Sequence, residues 1–486
     1  MSDREFTVRL GRRALGRRAV TLAGAATALV LIGAGGSLLN AESVTTAPAH
    51  TTVGRTTSVC TVGTKGGSRS LIAAVAVHRE ADRPGEVRAE QLSGEEADLE
   101  ITEQGKGGTV GHDRGSLLLH AEGPMARGTS AVVLRAADRG ENAGLQSAPC
   151  LPPTTMHWFP GVGSSGSEKT ELILTNPDDS QAEVDLRFFG QRGRVPVPGS
   201  PNIAVDGRTS RTISLSSLVQ TDGPLTVAVR ATSGRVAAVA RKVRRNRLAP
   251  AGADWQVGSA APATMTVIPA VPDGDGRRRL VVSNPGTVRA TVSVSVLGLQ
   301  GEYAPSGAEE VDLAPETSAE LDLTDGMAGE PGAIKLSSDH PVTGTVISTG
   351  RRDSAQDDFA ISAAAAPLVR DGVSAIATLG STDSDLILSN GTEVDTPVTF
   401  EVFSYAGVSL RTDEVLLAAN STATRRLNTS PPSYVVVRVP TGSGVHGGVR
   451  LEQPDGDVAG LTVVPLISPD VASRAPAVVP DPAIGR

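Results

Sequence analysis

Three stretches of this 486-residue chain align without a gap: Leu172-Ile-Leu-Thr-Asn-Pro177, Leu280-Val-Val-Ser-Asn-Pro285 and Leu386-Ile-Leu-Ser-Asn-Gly391. Their starts lie 108 and 106 residues apart, and a second set of landmarks, Val184 to Gly193, Val292 to Gly301 and Val398 to Gly407, keeps the same two spacings. Equal offsets at independent landmarks mark an internal repeat, and a repeat restricts the possible folds more than any composition does. Its apolar runs are four to eight residues long, rich in Val, Ile, Leu and Thr, and alternate apolar with polar. That period of two belongs to half-buried strands. Between the runs stand Asn-Pro, Asn-Gly and Asp-Gly steps, which have the chemistry of tight turns.

Six or seven short strands per period of about 107 residues predict an all-β chain of tandem immunoglobulin-like β-sandwich repeats. A propeller blade would need only about 40–50 residues. The landmarks place sandwiches at 151–259, 260–366 and 367–468. A diverged β-domain at 59–150 precedes them, with strands around Leu71, Ser116 and Ser130 and a long acidic loop around Gly94-Glu95-Glu96. Before it lies a threonine-rich stalk, 40–58, and after the last sandwich a tail rich in Pro and Ala, 469–486, is expected to be disordered. In each Asn-Pro step the Asn side chain can close a turn, while Pro lacks the N–H that a continuing ladder needs. The glycine ending the second landmark is expected at positive φ in a hairpin corner.

The first 18 residues carry six arginines and two acids, and residues 19–39 then contain no charge. Twenty-one helical residues reach about 31 Å, enough for the hydrocarbon core of a bilayer. Arginines on the near side place the N-terminus in the cytoplasm. Residues 1–18 therefore read as a basic cytoplasmic segment and 19–39 as a single transmembrane anchor or uncleaved signal. Everything after it is expected outside the plasma membrane, and secreted if the signal is cleaved. Disulfides persist there. The two cysteines, Cys60 and Cys150, bracket the first domain and are expected to bridge. A net charge of −8 disfavours nucleic acid as a partner.

Gly161-Val-Gly163-Ser-Ser-Gly166 and Gly442-Ser-Gly444-Val-His-Gly447 match the glycine pattern of dinucleotide loops. Each runs into a strand pattern, where a phosphate site needs a helix N-terminus. The exported part holds no nucleophile-elbow, zinc-helix or phosphate-loop motif, and the seven histidines lack metal-ligand spacing. Asp273-Gly-Asp275-Gly and Asp455-Gly-Asp457 resemble fragments of calcium loops without the closing glutamate. No catalytic residue, cofactor or metal is expected. Aromatic residues make up only 2% of the chain, so the candidates for a partner or glycan contact reduce to Trp158, Phe159 and Trp255. The plainer reading has them wedged at a domain junction.

The anchor, Cys150 shortly before Trp158-Phe159-Pro160-Gly161, the strand at 172–177, Asp254-Trp255 and the second Asn-Pro strand at 280–285 together resemble a group of actinobacterial membrane-anchored or secreted proteins, the domain-of-unknown-function family 5719. The resemblance implies an exported cell-envelope protein and carries over no catalytic or binding residue. The expectation is a non-enzymatic ectodomain with a structural or protein-interaction role, its partner a cell-envelope protein or glycopolymer. The alternatives are a glycan-binding protein for peptidoglycan or envelope polysaccharide and, last, a secreted hydrolase.

Overall fold

The computed structural model describes residues 50–474 except 64–68, 79–82, 248, 351–356, 380, 428–429, 454–459 and 470–471. The expected cytoplasmic segment, the anchor, most of the stalk and the end of the tail lie outside the described residues. Among the described residues no helix is long and apolar enough to cross a membrane. The chain forms two units. In the smaller, β1 (His50–Thr52) pairs antiparallel with β35 (Ala472–Arg474). The larger, Val53–Val471, is all-β and holds the remaining elements.

Four successive segments share one strand order. The first runs β2 (Arg55–Gly63), β3 (Arg69–Ala76), β4 (Glu86–Gln91), β5 (Glu96–Ile101), β6 (Gly107–Gly111), β7 (Gly115–Glu122), β8 (Thr129–Ala137) and β9 (Gly144–Pro149). Its sheets are β2-β7-β4-β5 and β6-β3-β8-β9. The second runs β10 (Met156–Val162), β11 (Glu168–Asn176), β12 (Ala182–Gly190), β13 (Gly193–Val195), β14 (Ile203–Val205), β15 (Thr209–Ser214), β16 (Leu225–Ser233), β17 (Ala237–Asn246) and β18 (Ala249–Val257). Here the sheets are β10-β16-β12-β13, with β14 also on β12, and β15-β11-β17-β18. The third comprises β19 (Ala263–Val271), β20 (Arg278–Asn284), β21 (Ala290–Gly298), β22 (Gly301–Tyr303), β23 (Glu310–Leu313), β24 (Thr317–Asp322), β25 (Gly332–Gly350) and β26 (Asp358–Ala363). Its long β25 serves both sheets, pairing β19 and β21 in one and β20 and β26 in the other. The fourth comprises β27 (Asp371–Ile376), β28 (Asp383–Asn390), β29 (Thr396–Ser404), β30 (Ser409–Leu417), β31 (Thr422–Leu427), β32 (Ser433–Arg438), β33 (Val445–Glu452) and β34 (Leu461–Pro465), in sheets β27-β32-β29-β30 and β31-β28-β33-β34.

Alternation along the strands turns one row of side chains from each sheet inward. In the second segment Phe159, Leu186 and Val227 of one sheet meet Leu172, Leu174 and Ala238 of the other in a single core. Asn176, Asn284 and Asn390, the asparagines of the repeated landmark, clamp the two sheets together. Each Oδ1 accepts the N–H two residues on, at 3.0–3.1 Å, and each Nδ2 donates to the carbonyl four residues on, at 2.8 Å. The same Nδ2 also reaches the carbonyls of Val205, Leu313 and Leu417, across in the other sheet. The hairpin glycines Gly193, Gly301 and Gly407 all have positive φ, as the turn chemistry requires.

Three findings differ from the sequence reading. β35, paired with β1, lies within the tail expected to be disordered. β2 starts at Arg55, inside the stretch expected as stalk, because Thr56 and Thr57 are β-branched and the run pairs with β7. The acidic stretch around Gly94 is a tight hairpin rather than a long loop. Gly94, at φ 90°, donates its N–H to the Gln91 carbonyl, and β4 passes directly into β5.

The four segments close into a ring. The last strand of each, β9, β18, β26 and β34, lies beside the last strands of its two neighbours around a common axis. One sheet of each segment packs on the other sheet of the next: β10 lies on β20 and β25, β19 on β28 and β33, and β27 returns to β3 and β8. The residue two positions past each last strand bridges back to the first strand of its own segment, in the pairs Val59–Leu151, Trp158–Ser259, Val267–Ala365 and Val373–Ile467.

Candidate functional site at the ring axis

Seven residues before each of those bridging positions stand Gly144, Gly252, Asp358 and Gly460. Three glycines and one aspartate thus occupy equivalent places around the axis. Asp358 is fully buried. Its Oδ2 accepts N–H groups from Leu145 and Leu461, each at 2.9 Å. The N–H groups of Ala253 and Phe359 also act on it. Those four donors are the residues directly after the four equivalent positions. A Cβ built at Gly144 or Gly252 would collide with Asp358 Oδ1, so the glycines make the room that the carboxyl fills. Oδ1 itself accepts no hydrogen bond.

One layer along the axis Asp254 repeats the arrangement. It is 1% exposed. Its Oδ1 accepts the Ser147 N–H at 3.3 Å and the Thr462 hydroxyl at 3.0 Å, and its Oδ2 accepts the Ile361 N–H at 3.2 Å. All four segments therefore meet at two carboxyl groups. Burial pushes Asp358 up to about 7 against the pull of its N–H donors. Burial, with Asp358 adding like charge, raises Asp254 well above the usual aspartate range. Such carboxyls can store a proton and order the strands around them. They offer no face to a substrate.

Beyond this layer the strands diverge around an apolar cavity of about 250 Å³, lined among others by Pro149, Trp255, Ile361, Ala363, Val463 and Pro465. A second polar centre joins the second and third segments. Lys242, fully buried, donates to the Gly161 carbonyl and pairs with Glu168 at 2.7 Å. Arg279 of the third segment donates to both oxygens of Glu168 at 3.0 and 3.2 Å. Burial alone would raise Glu168, but Lys242 and Arg279 overcome it and hold the carboxyl at about 2. Burial draws Lys242 down to about 8, with Glu168 opposing.

The expected residues separate. Cys60 and Cys150 form the disulfide, with Cα atoms 4.4 Å apart, inside the core of the first segment. Phe159 is fully buried in the second. Trp158 is half-buried, its ring 6.0 Å from that of Phe189. Trp255 is 3% exposed and packs with Ala148, Ile173 and Val239 across the junction of the first two segments. Of these three aromatic residues, Trp255 alone reaches the axial cavity, and a buried ring presents no face for a sugar to stack on. Both glycine loops lead into strands, β11 and β33, as their sequence suggests. Asp273 of the calcium-like fragment pairs with Arg450 at 3.2 Å, and Asp455 to Asp457 lie outside the described residues. Among the described residues no group of three or more His, Cys, Asp or Glu is placed to hold a metal.

Sequence reasoning passed over Asp358, Lys242 and Glu168. For Asp358 a signal exists: aligning the segments leaves one acid where three glycines stand. Residues 102–428 match the model of a family described as Family of unknown function (DUF5719). No curated protein matches the chain.

Proposed function

The chain belongs to that family of unknown function, and from this premise we propose that it is a non-enzymatic scaffold of the actinobacterial cell envelope. In this reading residues 19–39 anchor it in the plasma membrane with residues 1–18 inside, and tandem immunoglobulin-like repeats of about 107 residues stand outside. The observation that carries the reading is the closed ring. Each sandwich core is sealed, each segment is held by two neighbours, and the titratable groups at the axis are buried. That leaves the outer edges and loops to meet a partner. The edge strand β30 exposes Leu410 and Leu416, and Val408 is exposed in the turn just before it. Unpaired apolar strand edges favour association.

The test is membrane fractionation, protease treatment of intact cells carrying a C-terminal tag, and crosslinking in the native cells. The expected result is a membrane-bound chain whose tag is cleaved from outside and whose crosslinked partner is lost in Leu416→Lys. A chain recovered in the cytoplasm would sink the proposal.

The glycan-binding alternative gains one observation away from the tryptophans. Between the fourth and first segments a cleft of about 280 Å³ is lined by Phe403, Tyr434, Gln104, Lys106 and Arg438, and the Phe403 and Tyr434 rings stack at 5.2 Å. A half-exposed ring beside polar groups suits a sugar. Calorimetry with envelope polysaccharide fragments, and loss of heat in Phe403→Ala, decides it.

A further inference from the structure

We propose that the ring axis is a backbone carboxyl-binding site built jointly by the four segments, and that Asp358 is its tethered ligand. The site follows from equivalence. At the start of each last strand the chain presents one N–H toward the axis, from Leu145, Ala253, Phe359 and Leu461. Converging N–H groups in a buried interior demand an acceptor, because an unsatisfied buried donor is costly, and Asp358 Oδ2 serves those of Leu145 and Leu461. Four acidic side chains could not share the place, since like charges at contact repel and the space admits one carboxyl. Three positions are therefore glycine and one is aspartate. The collision that a Cβ at Gly144 or Gly252 would make with Asp358 Oδ1 shows how closely the cradle fits a single carboxyl group. The ligand enters from the third segment and is held by donors of the first and fourth at 2.9 Å, so one side chain ties together segments 213 and 103 residues apart in sequence.

Small carboxylates added in solution test this through Asp358→Gly, which makes all four positions glycine and leaves the N–H groups facing an empty space. The melting temperature of this variant should fall well below that of the parent chain. At pH 5, where the folded axis holds its carboxyl protonated, sodium formate should restore it saturably, by about 5 °C, acetate less and propionate least, while sodium chloride at matched ionic strength restores nothing. The parent chain should show no such response. If Asp358→Gly does not fold in chloride, its refolding yield in formate replaces the melt, and recovery is the expected result. Asp358→Asn keeps a carbonyl acceptor in place and should fold without responding to formate. The proposal is overturned if Asp358→Gly melts with the parent chain, or if formate does no more for it than chloride.

Discussion

The contact between the second and third segments and the contact that closes the ring, between the fourth and the first, use the same pair of sheets and opposite chemistry. The former is polar. Ser318 bonds Thr226 and the Phe189 carbonyl at 2.9 and 3.1 Å, Ser259 shares a hydrogen bond with Thr343, and Glu168 is gripped by Arg279. The latter is a continuous apolar cluster in which Ala73, Val75, Val132 and Leu134 join Val373, Ala375, Val435 and Val437. The difference tracks the chain. Consecutive segments are already tethered by a short linker, so their contact needs direction more than strength, and directed hydrogen bonds supply it. The closing contact brings together residues as far apart as Gly105 and Tyr434. It must offset a large loop-closure entropy, which apolar burial at roughly 1.5–3 kcal/mol per aliphatic side chain can do.

That contrast can be broken at its apolar end first. Val132→Asp places a carboxylate at a position 1% exposed within the closing cluster, and should cost about 5 kcal/mol or more in guanidinium unfolding. If it costs less than the next variant, the closing contact is not the stronger one. Glu168→Gln leaves Lys242 buried without its counter-charge, a loss of about 3–5 kcal/mol, and adding Lys242→Met should recover most of it in the same assay. The axis, common to both contacts, responds to pH. The unfolded chain releases the Asp358 proton near 3.8 while the folded chain keeps it to about 7. Stability from this group is complete below the lower value and is lost as pH rises through the upper one. Between pH 5 and 8 the loss should reach about 3 kcal/mol, and Asp358→Asn should flatten that part of the thermal-melt profile. Ser318→Ala, at the polar contact, should cost only about 1–2 kcal/mol. A cost equal to that of Val132→Asp would erase the distinction.

The sandwich strands were legible because period-two alternation is a local property, and the repeated asparagines announced their turns through side-chain chemistry confined to a few residues. The ring was not legible in the same way, although its trace is present. β3 and β8 read as near-continuous apolar runs, Leu71-Ile-Ala-Ala-Val-Ala and Ser130-Ala-Val-Val-Leu, and such runs belong to strands buried on both faces. Ile72 and Ala74 enter the core of their own segment, while Ala73 and Val75 enter that of the fourth. Which neighbour covers the second face depends on three-dimensional closure, and spacing along the chain does not report it. Trp158, Phe159 and Trp255 drew attention as the scarce aromatics, yet scarcity measures composition and not accessibility. The axial carboxyls come from two different segments, and Arg279 of the third segment joins the Lys242–Glu168 pair of the second, so both groupings are invisible until the segments are assembled.

Each contact in the ring joins unlike surfaces, one sheet of a segment against the other sheet of the next. A head-to-tail bond of this kind ends only when the rotation returns to its start. Four segments in one chain achieve that return and cover both surfaces within the chain. Remove the fourth segment, and the faces it covered on the first and the third become complementary ends. The shortened chain would then be the monomer of an open filament.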